Sequence, residues 1–208
     1  MKPPFFSFLI IFGLFLCGAS AQNKAGNYII IINGDSLFVD LNSTTTYRTS
    51  SGEELDLQLV QPNYLTYSDD MVSFQYEKSY SVAKSSLDAG IDQLMVMKAS
   101  GNGFMIQEYS TFDPSPLLRL MLNELVKESV SYGYDKVEED FEHTLASGQI
   151  IKGVKAILTY RGERETYTVA TYGQRDSGLV FVTMLLNEDF KEEDQPLIDL
   201  FLETLEVK

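Results

Sequence analysis

The sequence predicts an α+β protein in which a largely antiparallel sheet is covered by one helix on each face, an α/β/α sandwich. Two amphipathic helical patterns, at residues 115–130 and 196–205, each have an apolar side that needs a sheet to lie on. An apolar run with almost no interruption, residues 179–186, is typical of a central strand covered on both faces. The two helices are therefore expected on opposite faces of the sheet.

The clearer helix is predicted over residues 115–130. Ser115 is the predicted cap, and Pro116 suits the first turn, where its missing N–H costs nothing. Gly133 supplies the stop. The side chains expected to face the sheet recur at helical spacing: Leu118, Met121, Leu122 and Leu125. In the second helix, Pro196 is compatible with helical structure only in the first turn.

The strand patterns divide the rest of the chain into two regions. Residues 28–59 contain two hairpin patterns, the first with an Asn33-Gly34 turn, and predict an N-terminal β-meander assigned to residues 22–67. Residues 68–208 form the predicted main domain, with a strand near residue 72, a hairpin over 93–109, and three more strands between 152 and 186. Residues 84–91 are predicted to be irregular or briefly helical.

The first 21 residues have the three parts of an export signal. Lys2 precedes an apolar run, and Ala19-Ser20-Ala21 is a small-residue cleavage site, so the mature chain is expected to begin at Gln22. A lipoprotein anchored at Cys17 is the weaker alternative, because the bulky Leu16 stands before that cysteine. The apolar run is shorter than the ~20 residues that span a bilayer, which disfavours a permanent anchor. The expected location is secreted or periplasmic.

The charge of the chain narrows the choice of partners. Loss of residues 1–21 would leave 15 basic and 30 acidic residues, a net charge of −15. Nucleic acids and anionic membrane surfaces are disfavoured as partners, since binding to either relies on clustered Lys and Arg. Cleavage after Ala21 would also leave no cysteine, and so no disulfide or thiolate chemistry.

From about residue 69 to residue 208 the chain resembles the PsbP-like superfamily. The segment 72–82 is similar to that superfamily's opening strand-turn-strand, with Glu77 where proline is usual, and 200–205 is similar to its last helix. The superfamily includes photosystem extrinsic subunits, a Ran-binding import factor and bacterial periplasmic proteins of the DcrB type. The resemblance implies a non-enzymatic binding or assembly role, with a protein as the expected partner.

Candidate chemistry is sparse. His143 is the only histidine and is expected to be a partly exposed surface residue, because a catalytic base needs a nucleophile beside it. The Ser-x-x-Lys match that ends at Lys84 lacks the accompanying motifs and is interpreted as chance. No catalytic or cofactor-binding residue is assigned.

Two acidic clusters are the candidates for a calcium site, since calcium prefers oxygen ligands. The residues are Asp135, Glu138, Glu139 and Asp140 in the first cluster, and Glu188 and Asp189 in the second. Neither has the spacing of a dedicated calcium loop, and acids near the start of the last helix also suit its dipole. Calcium is therefore a minor alternative.

The sequence favours an exported, acidic, non-enzymatic binding or assembly module. Two alternatives stay open. One is a calcium-dependent envelope factor, and the other is a hydrolase of glycosidase type, which needs only two suitably spaced carboxylates. The N-terminal meander is the expected contact surface, because its strands offer edges for pairing with a partner.

Overall fold

A computed structural model of the chain describes residues 26–208. The predicted export signal and Cys17 lie outside these residues. The chain divides into two compact units, one ending at Gln61 and one spanning Pro62–Lys208. Within residues 26–208, no helix has both the length and the apolar character needed to cross a membrane.

The first unit contains the two predicted hairpins. They are formed by β1 (Tyr28–Ile32) with β2 (Asp35–Val39), and by β3 (Thr44–Arg48) with β4 (Glu54–Gln58). Asn33 and Gly34 adopt left-handed φ angles of 50° and 96°, which the tight turn between β1 and β2 requires. The hairpins are two separate two-stranded sheets rather than one continuous four-stranded meander, because β2 and β3 do not pair.

The second unit contains the remaining strands and both α-helices. The strands are β5 (Tyr64–Ser68), β6 (Val72–Glu77), β7 (Ala83–Asp88), β8 (Ile91–Met97), β9 (Gly103–Tyr109), β10 (Asp135–Thr144), β11 (Ile150–Tyr160), β12 (Glu163–Gly173), β13 (Gly178–Leu185) and β14 (Glu206–Val207). The helices are α1 (Leu118–Tyr132) and α2 (Lys191–Thr204), each preceded by a short 3₁₀ turn.

These strands form two antiparallel sheets. The large sheet has seven strands in the order β10-β11-β12-β13-β9-β8-β7, and the small sheet has three in the order β14-β6-β5. The near-continuous apolar run predicted as a central strand is β13, which is buried along almost all its length between β12 and β9. The predicted α+β class, an antiparallel sheet with a helix on each face, is confirmed.

Helix α1 covers one face of the large sheet, over β11 and β12. Leu122 and Val126 are fully buried there, and Leu118, Met121 and Leu125 pack beside them at partial exposure. The strands meet this helix with an apolar surface that includes Val154, Ala156, Leu158, Val169, Val180 and Val182. The helix ends at Gly133, whose φ of 115° is left-handed, as predicted.

Helix α2 and the small sheet share the other face. The core of this layer is aromatic: Phe201 stacks on Phe104 with ring centroids 3.9 Å apart and meets Phe74 edge-on at 5.5 Å. Strand β14 follows α2 directly and pairs with β6. This pairing brings the last strand of the second unit beside one of its first strands. The second helix therefore packs against β6, β9 and β13.

Several local predictions differ from the structure. Most of residues 84–91, predicted to be irregular or briefly helical, belong to the edge strand β7. All residues of this strand are exposed, so its sequence has no apolar alternation that would indicate a strand. Strand β5 belongs to the second unit because it pairs with β6, so the division falls at Gln61 rather than at residue 67. Ser115 does not cap the first helix with its side chain: it lies in the preceding 3₁₀ turn, and its own backbone N–H donates to the Asp113 carboxylate at 2.8 Å.

The position of Pro196 is also different from the prediction. It lies inside α2, beyond the first turn, because the helix already begins at Lys191. The preceding 3₁₀ turn is capped by the side chain of Asn187, which accepts the backbone N–H of Asp189 at 3.1 Å. This cap fixes the start of the helical segment well before the proline.

Candidate functional site

The first acidic cluster is spread along the edge strand β10. Alternation along a strand puts its four calcium candidates on two sides of the sheet, Asp135 and Glu139 on one and Glu138 and Asp140 on the other. Glu138 is engaged by cations, with Lys136 at 2.8 Å and Arg119 of α1 at 2.6 Å. Hydrogen bonding from Lys136, and then from Arg119, lowers the pKa of Glu138.

The second acidic cluster is also paired with cations. The Glu188 carboxylate lies 3.6 Å from Lys191 and 3.9 Å from Arg164. Asp189 is in the 3₁₀ turn before α2. In the part of the chain that the structure describes, no group of three or more histidine, cysteine, aspartate or glutamate side chains is arranged to hold a metal ion.

Asp194, on α2 a few residues after this second cluster, is a buried carboxylate. Its carboxylate accepts Lys98 Nζ at 2.7 Å, Ser100 Oγ at 2.6 Å and Asn102 Nδ2 at 2.7 Å. Burial alone would raise the pKa of Asp194, but these three donors lower it. Asn102 is fully buried and also donates to the carbonyl of Asn187 at 3.0 Å. The network ties the β8–β9 turn to the start of α2.

A second buried carboxylate, Glu108 on β9, is only half satisfied. Lys84 Nζ lies 3.2 Å from Glu108 Oε2 and 3.2 Å from Asp69 Oδ2, whereas Glu108 Oε1 is buried without a hydrogen-bond partner. Burial, and then the charge of Asp69, raise the pKa of Glu108 to about 7, against the opposing effect of Lys84. The lysine of the Ser-x-x-Lys match is thus engaged with two carboxylates.

His143 lies near the C-terminal end of β10, half-buried. Its Nε2 is 3.0 Å from the carbonyl oxygen of Leu202, near the end of α2, and its ring is nearly parallel to that of Phe141. The contact links the edge strand to the second helix.

A cleft between α2 and the strands β10–β13 gathers the functional groups that sequence reasoning missed. It has a volume of about 230 Å³. The sheet contributes Phe141, Lys155, Arg164, Thr166, Thr168, Thr183 and Leu185, and the helix contributes Lys191, Gln195, Ile198 and Leu202.

The strand register puts the sheet residues of the cleft in rows. Lys155 on β11 is paired with Thr168 on β12, which is paired in turn with Thr183 on β13. The next row along the strands contains Thr166 paired with Leu185. Because these residues are separated by even numbers along each strand, they all face α2.

The cleft exists because the two helices are offset from each other across the sheet. Helix α1 lies over β11 and β12, whereas α2 packs against β6, β9 and β13. The α2-facing side of β11 and β12 is therefore incompletely covered, and the chain puts lysine and threonine there instead of valine and leucine.

Two donor groups of this cleft have no acceptor among the described residues. The Nε of Arg164 is buried without a hydrogen-bond partner. Lys155 Nζ is partly exposed and makes no ion pair or hydrogen bond with any described residue. Glu139 is the cross-strand neighbour of Lys155, yet the two charges form no ion pair within the described chain. A buried donor such as Arg164 Nε needs an acceptor atom, and the partly exposed Lys155 beside it provides a positive charge.

The sequence signal for this site was weak but present. β12 reads Thr-Tyr-Thr-Val from residue 166, so hydroxyl and large apolar side chains alternate. That pattern indicates a strand with one polar face. It does not say that this face lies under a helix, because the offset of α2 is a property of the packed layers alone.

Comparison with known proteins returns structures but no families. No protein-family model and no curated protein matches the sequence. The solution structure of cyanobacterial PsbP (CyanoP) from Synechocystis sp. PCC 6803 matches over 70% of this chain and 93% of that chain, at 13% identity and a TM-score of 0.45.

A second match is the crystal structure of PA94, a protein of unknown function from Pseudomonas aeruginosa. It covers 75% of this chain and 91% of that chain, at 10% identity and a TM-score of 0.30. The chain is thus similar to a PsbP structure, the kind of fold that the sequence resemblance predicts. Likeness at this level concerns the fold alone and identifies no ligand.

Proposed function

We propose that the chain is an exported binding module and that the cleft beside α2 holds a small ligand with a negative charge. The observation that carries this proposal is the buried Nε of Arg164, which has no hydrogen-bond partner, beside the partly exposed Lys155, which has no partner among the described residues. A buried donor without an acceptor costs about 1–3 kcal/mol. Oxygen atoms of an anionic ligand would remove that cost on binding.

The chemistry of the cleft suits binding rather than turnover. Ammonium and guanidinium groups donate hydrogen bonds and have no lone pair with which to accept a proton. Three threonine hydroxyls beside them, from Thr166, Thr168 and Thr183, add neutral donors that can orient the ligand. Such a set holds and positions an anion.

Titration with small anions, followed by NMR of the backbone amides, tests the proposal. Inorganic phosphate, succinate and hexanoate are the probes. At least one is expected to shift the amide signals of Thr166, Thr168 and Thr183 in a saturable way, and Lys155→Met is expected to weaken that binding. The matched control is Lys152→Met, on the same strand but with a side chain that is 73% exposed and paired with Glu142.

Two results would contradict the proposal. One is that none of the three anions shifts these amides. The other is that Lys152→Met and Lys155→Met weaken binding equally, since the effect would then come from overall charge and not from the cleft.

The export half of the proposal has a separate test. The intact mass of the protein from its native host is expected to correspond to a chain that begins at Gln22, because Ala19-Ser20-Ala21 is a small-residue cleavage site. A lipid-modified species that begins at Cys17 would overturn it.

A second candidate role concerns the first unit, which we propose docks a partner protein through β1. Ile29 and Ile31 lie on the same side of this strand and are 57% and 72% exposed. Adjacent large apolar side chains in contact with water are typical of an interaction surface. Among the described residues β1 pairs only with β2, so its other edge has free backbone donors and acceptors. An extended segment of a partner could add to that edge as a further strand.

A pull-down from the native envelope tests the docking role, with and without residues 22–61, in calcium and in chelator. The deletion stops at Gln61 because β5 belongs to the second unit. A partner lost on truncation and indifferent to chelator supports docking through this unit. A partner lost only in chelator favours the calcium-dependent alternative, and cleavage of a glycan or ester abolished by one carboxylate substitution favours the hydrolase.

A further inference from the structure

The helical wall of the cleft changes character along its length. Lys191, Gln195, Ile198 and Leu202 recur at helical spacing on the side of α2 that lines the cleft. Read from the N-terminus of α2, this stripe passes from a cation to an amide and then to two aliphatic side chains. The positive end of the helix dipole lies at the same end as the cation.

The sheet wall changes in the same direction. Arg164 and Thr166 lie at the end nearest Lys191, and the Lys155–Thr168 row comes next. Phe141, in the following row, closes the far end near Leu202. The two walls therefore agree, with donors and positive charge at one end and an apolar end opposite.

The charge of the polar end is close to a single positive unit. Arg164 and Lys191 both lie within 4 Å of the Glu188 carboxylate, so one of their two charges is compensated within the protein. Lys155, the third cation of the cleft, has no ion-pair partner in the described chain, but Glu139 is its cross-strand neighbour on β10. With two carboxylates beside three cations, the surplus matches a monoanion better than a dianion.

We infer that the ligand of the cleft is a small amphipathic carboxylate, with its carboxylate at Lys155 and Arg164 and its apolar body against Ile198, Leu202 and Phe141. The volume of about 230 Å³ sets the size. It is roughly the space of eight liquid waters, and below the range of about 300–1,000 Å³ that is typical of drug-sized ligands. A short or branched carboxylic acid fits, whereas a long acyl chain does not. The inference rests on the proposed function of the same cleft.

Three probes of similar size separate the contributions of head and tail. Hexanoate has one carboxylate and an apolar body, succinate has the same number of non-hydrogen atoms but two carboxylates, and 1-hexanol has the body without the charge. Binding is measured on the full chain by NMR titration and by calorimetry. Hexanoate is expected to bind at least tenfold more tightly than either of the other two.

Substitutions locate the two ends of the ligand. Lys155→Met is expected to raise the Kd for hexanoate by about tenfold to a hundredfold, the range for one hydrogen bond to a charged group. Leu202→Asn and Phe141→Ala, on opposite walls, are expected to raise it by about threefold to tenfold through lost apolar contact. The same two variants should leave the Kd for succinate within about twofold. Because the two substitutions are on different walls of the cleft, the second variant still provides the test if the first does not fold.

The outcomes distinguish this inference from the proposed function. If succinate or inorganic phosphate binds the same amides more tightly than hexanoate, or if Leu202→Asn and Phe141→Ala leave hexanoate binding unchanged, the amphipathic ligand is wrong and the anion site stands. Tighter binding of 1-hexanol than of hexanoate overturns the role of Lys155 and Arg164. If no probe shifts the cleft amides, both proposals fall.

Discussion

Strand β12 presents two very different surfaces to the two helices of the second unit. Towards α1 it carries Tyr167 and Val169, which are buried in an apolar layer. Towards α2 it carries Thr166 and Thr168, which line a polar cleft. The same backbone therefore contributes to a closed core on one side and to a candidate binding site on the other.

The difference comes from the position of the helices and not from the strand. Helix α1 is centred over β11 and β12, so Leu122 and Val126 find apolar neighbours on both strands. Helix α2 is displaced towards β9, where it completes an aromatic core with Phe74 and Phe104. The space left beside it is lined by polar side chains and is the site of the proposed ligand.

The largest expected effect is on the α1 side. Leu122→Asp places a carboxylate in a fully buried position between helix and sheet, and we expect a loss of several kcal/mol in the free energy of unfolding. Leu120→Asp is the control on the same helix, because that side chain is 59% exposed. Thermal or urea denaturation measures both, and equal stability of the two variants would show that the buried face of α1 is misassigned.

A pair of substitutions on β12 compares the two sides directly. Val169→Thr puts a hydroxyl into the α1 layer at a position with no exposure, and a loss of about 1–3 kcal/mol is expected. Thr168→Val, one residue away on the cleft side, is expected to change stability by less than about 0.5 kcal/mol. Urea unfolding of the two variants is the measurement. Equal losses would mean that the α2 side of this strand is as well packed as the α1 side.

Strand β9 allows a similar comparison through pH. Gln107, on the α1 side, is satisfied by Gln93 and by the hydroxyl of Tyr109, whereas Glu108, on the α2 side, keeps one buried oxygen without a partner. Because burial and Asp69 raise the pKa of Glu108 to about 7, the folded state holds more protons than the unfolded state between about pH 4.5 and pH 7. Stability from this group is therefore present at pH 5 and lost as the pH rises towards 7.

The expected loss over that window is on the order of 2 kcal/mol, since each pKa unit corresponds to about 1.4 kcal/mol and solvent near Lys84 screens part of it. Glu108→Gln should flatten the fall in melting temperature between pH 5 and pH 7. The control is Asp92→Asn, a more exposed carboxylate 3.7 Å from the same lysine. An unchanged pH slope in the Glu108→Gln variant would assign the slope to other groups.

The smallest effect is expected in the cleft itself. Lys155→Met removes a charge that has no ion-pair partner in the described chain, so the free energy of unfolding should change by less than about 0.5 kcal/mol without ligand. If the free energy of unfolding instead fell by more than about 1 kcal/mol, Lys155 would have a structural role in the cleft and not a ligand-binding one.

The sequence predicts those parts of the fold in which a local pattern and the packed structure agree. Helix α1, its glycine stop and the buried strand β13 follow from periodicity and apolar content. Strand β7 could not be found in this way, because an edge strand without a buried face has no alternation to detect. Residues 83–88 form a strand because their backbone is hydrogen-bonded to β8, and their own side chains do not indicate it.

The candidate site shows the same limit more strongly. The acidic residues that attract attention in the sequence are spread over two faces of β10 or paired with cations. The residues that converge are scattered in the sequence, from Phe141 on β10 to Leu202 on α2. None of them forms a motif, because their proximity arises from strand register and the offset of one helix.

The closing of the small sheet by β14 has a consequence for the order in which the protein can fold. Val72 and Phe74 come early in the second unit, yet their partners Phe201, Leu205 and Val207 lie at its opposite end in the sequence. Until those residues emerge, the aromatic side of β6 and β9 has no cover and is a surface to which other unfolded chains or a chaperone would adhere. Packing of this face is therefore expected to wait for α2 and β14, and deletion of both would leave the aromatic side of β6 and β9 uncovered.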